Sequence, residues 1–394
     1  MLIGREIAVL GAGVAGLAVA QALALRGARV TVYEQAEQLA EVGAGLQVTP
    51  NGAAVLRALG LGERLAAAGV AAAGVELRDG RDGRLVARLP PRAEPGGYRF
   101  VHRADLIDIL ADGARAAGVQ LRLMQRITEA RPVPEGLRLV TAQGAEFAAG
   151  LVIGADGLHS VVRAALNGPA RPAFTGQVAW RATIPDSPGA PPVAEVHMGP
   201  GRHLVTYPLR GGTLRNLVAV EERRTWVEES WSLRDDSPAL AFAFEGFGPR
   251  VRDWIGRVET VWLWGLFRHP VASRWFSTGP GDTGAAILGD AAHPTLPFLA
   301  QGANMALEDA WVLAASLAGH DTAAAALAAY QQARAARAAR IVAAASRNAW
   351  AFHLRGPVRD AAHLGLRTLG ALAPGALAAR FDWLYGHDVT ATTP

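Results

Sequence analysis

Cysteine and lysine are both missing from the 394 residues. Without cysteine there is no disulfide framework, which fits a reducing cytoplasm. Without lysine, arginine is the only strong base. The 39 basic residues face 35 acidic ones, for a formal net charge of +4. Nucleic-acid binding needs a clustered basic footprint. The arginines are interleaved with acids and form no basic tract, so that class is excluded. No uncharged apolar run approaches the 18 or more residues of a membrane span. Residues 1–10 are apolar, but they show no basic n-region or cleavage site and lead straight into a glycine fingerprint. They read as a strand and not as a signal peptide. Repeats are absent, and low complexity is confined to Ala-rich helix. What remains is globular: 51% hydrophobic and 19% charged residues, in a chain long enough for two packed units.

Residues 6–10 and 29–34 are short apolar runs flanking a helical pattern over 13–26, together one βαβ unit. Residues 51–59 and 104–117 read as helices, 75–89 as a hairpin around Gly80 and Gly83, and 151–153 as a buried strand. From 176 to 266 the texture changes. Trp180, Trp226, Trp231, Trp254, Trp262 and Trp264 fall there among β-formers and turn prolines, which predicts a separate antiparallel sheet. A core strand returns at 285–288. From 303 to 355 the chain is nearly all helix. There Arg334, Arg337 and Arg340 share one face, expected to be solvated. The first and last parts must then share one Rossmann-like α/β domain, with the sheet inserted between them.

Three motifs carry chemistry. Gly11-Ala12-Gly13-Val14-Ala15-Gly16 is G-x-G-x-x-G between a strand and a helix. Gly11 permits the tight turn, Gly13 the approach of a pyrophosphate, and Gly16 close helix packing. Glu34 ends the next strand 34 − 11 = 23 residues on, near the ~20 expected for an acid on a ribose. Its charge disfavours a bound 2′-phosphate. Gly154-Ala155-Asp156-Gly157 places Asp156 at a strand end, either as an Asx turn or N-cap or as a contact to phosphate or ribose. Gly289–Ala310 joins Asp290 to Pro294, Pro297 and a Gln-Gly-Ala-Asn turn that opens a helix. Asp290 can accept from a polyol such as ribityl. The N–H groups of Gly302, Ala303 and Asn304 can meet an anion at the helix dipole; an ordinary capped helix is the alternative. Two distant sites for one long cofactor suggest FAD.

These motifs, in this order, resemble the single-component FAD-dependent aromatic hydroxylases, the group A flavoprotein monooxygenases. The likeness is closest to the salicylate hydroxylase and 3-hydroxybenzoate 6-hydroxylase branch. EVGAGLQVTPNGAAVLRALGLG, HRADL, GADGLHSVVR, GDAAHPTLPFLAQGANMALEDA and FDWLYGHD carry it, over about residues 7–388. The resemblance implies a para-hydroxybenzoate hydroxylase-like fold. Its FAD-binding domain would comprise 1–75, 101–175 and 271–320. A β-hairpin at 76–100 and a sheet at 176–270 would form the substrate layer, and 321–394 a C-terminal helical region. It implies FAD contacts from the glycine fingerprint, Glu34, Gln35 and Gly45. Arg103 would lie on the flavin side, Asp156 would serve FAD and transient NAD(P)H, and Asp290 would bind ribityl. Gly302, Ala303 and Asn304 would hold the pyrimidine edge, with Pro294 and the loop after it near the reactive carbon and Pro297 among the cofactor contacts.

His203 and Tyr207 alternate on one strand face, either as a core pair or, as the resemblance implies, at the substrate ring with Gln301 and Gln47. Glutamine at 47 speaks against a 6-hydroxynicotinate substrate. The implied reaction is hydride transfer from NADH or NADPH to non-covalent FAD, then hydroxylation of a phenolic ring through a flavin C4a-hydroperoxide. His203 would relay the proton, and Tyr207 and Gln301 would orient the ring. Partners would be a small hydroxybenzoate- or salicylate-like aromatic and O₂, with the protein a cytoplasmic monomer or homodimer. An FAD dehydrogenase without oxygen insertion and a flavin-binding protein without turnover are the alternatives. Arg181, Arg202, Arg210 and Arg215 could each anchor a substrate carboxylate.

Overall fold

The structure, a computed structural model, describes residues 2–39, 44–90, 97–169, 171–224 and 234–391. Trp226 and Trp231 lie outside the described residues. The βαβ unit forms as expected: strand Glu6–Leu10, helix Val14–Ala24 and strand Arg29–Tyr33, the strands parallel from Glu6↔Arg29 to Leu10↔Tyr33. It sits in a six-stranded sheet ordered Phe276–Gly279, Thr283–Ile287, Leu151–Gly154, Glu6–Leu10, Arg29–Tyr33 and Gln120–Arg122. Every pair is parallel except Phe276–Gly279 with Thr283–Ile287. The central strands are apolar throughout because helices or loops cover both faces; Leu151, Val152 and Ile153 are buried. In such sheets ligands bind beyond the carboxyl ends of the strands. Here those ends are tied together. Gly11 N–H donates to Tyr33 O (2.8 Å), Ala155 N–H to Leu10 O (2.9 Å) and Leu288 N–H to Gly154 O (3.1 Å). Three remote sequence motifs therefore meet at one edge.

The second layer is an eight-stranded sheet ordered Arg234–Asp235, Val261–Arg268, Ala173–Pro185, Leu214–Glu222, Arg202–Leu209, Val193–Gly199, Gly74–Asp79 and Leu85–Leu89. It is antiparallel except where Val193–Gly199 runs parallel to Gly74–Asp79. One face packs Trp180, Leu204 and Leu217 against Phe244 and Trp254 of the two following helices. The other packs Ala179, Val220 and Trp264 against Leu296, Phe298 and Ala349, so it closes on the loop before the helix Gly302–Gly319. The hairpin Gly74–Asp79 and Leu85–Leu89 joins this sheet. Strand Arg99–His102 does not; it pairs with Gly45–Val48 and Val70–Ala71 in a small sheet of its own.

The arginine row is not a solvated face. Arg334 is 1% exposed and bonds Glu308 (2.6 Å) and Asp309 (2.8 Å). Arg337 bonds Glu308 at 2.8 Å, and the Arg340 guanidinium lies 3.8 Å from the centre of the Trp383 ring. Alanines let the helix Ala323–Phe352 pack closely on Gly302–Gly319, and the two buried acids there need cations. Among the described residues no helix is long and apolar enough to cross a membrane, and no cluster of three or more acidic or His side chains could hold a metal ion.

Candidate active site

At the glycine turn Gly11 has φ +96°, and a Cβ there would lie 2.5 Å from Ala155 O. A Cβ on Gly16 would overlap Gly11 O, whereas one on Gly13 meets nothing within 4 Å. Open space therefore lies over the start of Val14–Ala24, a helix with no side-chain cap and no acid in its first turn. Val14 is buried, and Ala15 lines the turn beside Gly289, whose own Cβ would come 3.2 Å from it. Glu34 is fixed at the strand tip: Oε2 accepts from Ala12 N–H (2.7 Å) and Oε1 from Ala36 N–H (2.9 Å). Gln35 beside it is exposed.

Asp156 caps its loop through one oxygen only. Its Oδ2 accepts from Val161 N–H (2.8 Å), a loop cap. Its Oδ1 is buried with no hydrogen-bond partner among the described residues. Burial raises its pKa against hydrogen bonds from Ser160 and the following backbone. Asp290 is accessible at its surface yet ringed by protein, as a carboxyl in a deep cleft would be. Burial raises its pKa; His293, Arg103 and His269 pull it down. Arg103 opens the helix Arg103–Ala116 on the same cleft, and burial lowers its pKa.

The helix Gly302–Gly319 begins without a side-chain cap or a first-turn acid, and its first i→i−4 bond is Met305 N–H to Gln301 O (2.8 Å). The N–H groups of Gly302, Ala303 and Asn304 lie before it. Pro297 starts the short 3₁₀ turn Pro297–Leu299, and Ala300 follows at φ 54°, a left-handed conformation costing a non-glycine residue roughly 1–2 kcal/mol. The open Gly13 cradle, the unpaired Asp156 Oδ1, the walled Asp290 and two uncapped helix starts fit one extended dinucleotide with a polyol spacer, which is FAD.

Gln301 is 1% exposed. Its Nε2 donates to Thr49 Oγ1 (3.0 Å), and its Oε1 accepts from Asn51 Nδ2 (3.0 Å). It is the N-cap residue of the helix Gly302–Gly319. Gly45 lies against the substrate sheet. Its N–H donates to Asn216 Oδ1 (2.7 Å), and a Cβ would lie 2.6 Å from the Tyr207 ring.

His203, Val205 and Tyr207 share the face of Arg202–Leu209 turned to the flavin loop. His203 is buried, 5.5 Å from Phe298 between ring centres, and its Nδ1 is 2.7 Å from His353 Nε2. Burial first, then His353, holds its pKa well below the usual value, so it is a neutral imidazole able to take a proton. Tyr207 packs 5.0 Å from Phe100, and burial raises its phenol pKa, making it a donor. Four residues along a strand put the two about 13 Å apart. Across the sheet Val205 is in register with Val218, and Val218 with Arg181. Arg181 lies 4.2 Å from the centre of the Trp264 ring, and burial and Arg103 push its pKa down to about 10. Arg202 pairs with Glu221 (3.2 Å), Arg210 with Asp105 (2.7 Å) and Arg215 with Asp186 (2.7 Å). Gln47 Oε1 accepts from Tyr98 OH, and Tyr98 stacks on Tyr385 of the FDWLYGHD motif. Tyr98, Tyr385 and His353 had no role from sequence; only the motif text pointed at Tyr385.

Fold and site together define an FAD-dependent oxidoreductase. Residues 5–345 match the FAD binding domain family. The chain is 40% identical over 322 residues to 3-amino-4-hydroxybenzoate 2-monooxygenase of Streptomyces cremeus, covering 79% of this chain and 78% of that one. It is 32% identical over 394 residues to 3-hydroxybenzoate 6-hydroxylase of Klebsiella oxytoca, covering 96% of each. A salicylate hydroxylase substrate complex superposes with a TM-score of 0.81 at 24% identity over 98% of this chain and 97% of that one. Klebsiella pneumoniae HpxO complexed with FAD and uric acid does so with a TM-score of 0.79 at 25% identity over 92% and 93%. The chain belongs to the group A FAD-dependent aromatic hydroxylases. It is a monooxygenase that uses FAD, NAD(P)H and O₂.

Proposed function

We propose that the ring substrate is a small hydroxybenzoate whose carboxylate is met by Arg181 and whose phenol faces His203. The observation that carries this is the placement of a guanidinium, a neutral imidazole and a phenol donor on one sheet face, spaced to bracket a single ring. The named activities of the relatives, which act on amino- and hydroxybenzoates, support it. FAD, when bound, takes hydride from NAD(P)H and delivers electrophilic oxygen derived from O₂. The protein supplies the rest. His203 accepts the phenol proton at Nε2 and so makes the ring electron-rich. Tyr207 donates to the far edge of the ring. Gln301 and Asn304 act from below, holding the start of Gly302–Gly319 against Thr49 and Gln47 O. Glu34 binds the adenosine ribose of FAD, and Asp290 takes the ribityl chain. The FAD-binding unit is assembled from the segments around the six-stranded sheet, in a cytoplasmic monomer or homodimer.

The test is a panel of hydroxybenzoates, their amides and hydroxypyridines, scored by flavin bleaching with anaerobic NADH. Hydroxybenzoates should accelerate bleaching most. Arg181→Met should raise KM for the acids about tenfold or more, the loss of a hydrogen-bonded ion pair, and leave the amides near wild type. Equal effects on acids and amides would remove Arg181 as the anchor.

A further inference from the structure

We propose that His203, His353 and Glu222 form a proton exit from the ring pocket to solvent. The proposal rests on the reading that a phenol ionises at His203. The three groups come from separate elements: strand Arg202–Leu209, the C-cap of helix Ala323–Phe352 and the end of strand Leu214–Glu222. They are joined in series. His203 Nδ1 is 2.7 Å from His353 Nε2, and His353 Nδ1 is 3.0 Å from Glu222 Oε1. Exposure rises along the chain: His203 is 1% exposed, His353 4% and the Glu222 side chain 40%. Arg355 bonds the other Glu222 oxygen at 2.5 Å and is itself 65% exposed. The backbone pins the geometry, because Gly201 N–H donates to His353 O (3.3 Å) and Glu222 N–H to Gly201 O (2.9 Å). Phe298 and Phe352 flank His203 and keep water from its sides.

Each imidazole uses one nitrogen to receive and the other to pass on. The phenol O–H bond breaks and its proton joins His203 Nε2. The Nδ1 proton of His203 passes to His353 Nε2, and the Nδ1 proton of His353 passes to the Glu222 carboxylate and then to water. No electrons move. The relay resets when the product phenol takes a proton back along the same path. Both imidazoles are held below their usual pKa by burial, so neither traps the proton. Glu222 raises His353 against the lowering influence of Arg355 and Arg202.

The experiment uses oxidised holoenzyme without NADH and a chromogenic phenol, 4-hydroxy-3-nitrobenzoate. Stopped-flow absorbance follows phenolate formation in the pocket, and a pH indicator follows proton release to bulk. In the wild type both should occur together. His353→Phe should keep FAD content and slow proton release about tenfold or more, the lower end of what a positioned acid–base group contributes. Glu222→Gln, a surface change that keeps the fold, should slow it less and respond to added formate. Wild-type release rates in both variants would overturn the relay while leaving the substrate reading intact. If the wild type itself binds the probe without ionising it, the substrate reading fails and the relay with it.

Discussion

Glu34 shows how one side chain can be set by its backbone for a ligand. Both carboxylate oxygens already accept backbone N–H groups, from Ala12 and Ala36. Each oxygen keeps a further lone pair for a hydroxyl. Glu34→Arg removes two charge-assisted bonds, worth about 1.5–3 kcal/mol each, and puts a cation where the ribose lies. FAD affinity should fall at least about a hundredfold, since each 1.4 kcal/mol is a factor of ten. The ratio of flavin to protein absorbance in purified enzyme measures it. A ratio equal to the wild type would take Glu34 out of the adenosine end.

The helix Gly302–Gly319 must present its first N–H groups at a fixed angle, and the residues beneath it do the fixing. Asp309 Oδ2 accepts from Gly289 N–H (3.0 Å) and faces His293 Nε2 at 2.5 Å, while Oδ1 takes Arg334 at 2.8 Å. Glu308 binds Arg334, Arg337 and Asn51. Both acids are fully buried; despite desolvation, Arg334 and Arg337 hold the pKa of Glu308 down, and His293 and then Arg334 hold that of Asp309 down. Arg334→Met would leave part of that charge uncompensated, at a cost of about 3–5 kcal/mol. The thermal midpoint should drop sharply and the flavin should be lost with it; Arg340→Ala, at the Trp383 ring, should cost far less. A midpoint for Arg334→Met within 1–2 °C of wild type, well under the roughly 2–4 °C expected per kcal/mol, would mean that the helix is held by packing alone.

At the scale of the whole molecule, local signals survived and long-range ones did not. The glycine turn, Glu34 and the first helix are contiguous, so the period and spacing of neighbouring residues defined them. The meander Ile127–Val133, Gly136–Thr141 and Glu146–Ala149 carries mixed charge on a half-exposed surface and gave no clean alternation. The burial of Arg334 depends on acids 25 and 26 positions earlier, across a helix pair. His353 lies 150 positions from His203, and no pattern within either segment announces their contact. The same long-range burial fixes how stability responds to pH. His203 and His353 have pKa values lowered chiefly by burial, and so does His363 beside Arg359. In the unfolded chain each returns to about 6.5. The native state therefore binds fewer protons below that value. The stability these groups contribute is present above about pH 6.5 and is lost as pH falls toward their folded values. Glu308, Asp309, Asp79 and Glu195 are lowered as well, so their contribution is lost in a second, more acidic window. Asp156 and Asp290, raised by burial, act in the opposite sense: their protonation favours the fold as pH falls below their folded values. They offset part of the loss as pH falls. The thermal midpoint of flavin-free protein at constant ionic strength should therefore fall between pH 7.5 and 5.5, with a slope near 1.4 kcal/mol per pH unit for each proton taken up on unfolding. His203→Gln should flatten that slope relative to wild type, because its imidazole no longer gains a proton when the chain unfolds. A midpoint that stays level or rises over this range would show that the buried histidines are protonated in the native fold.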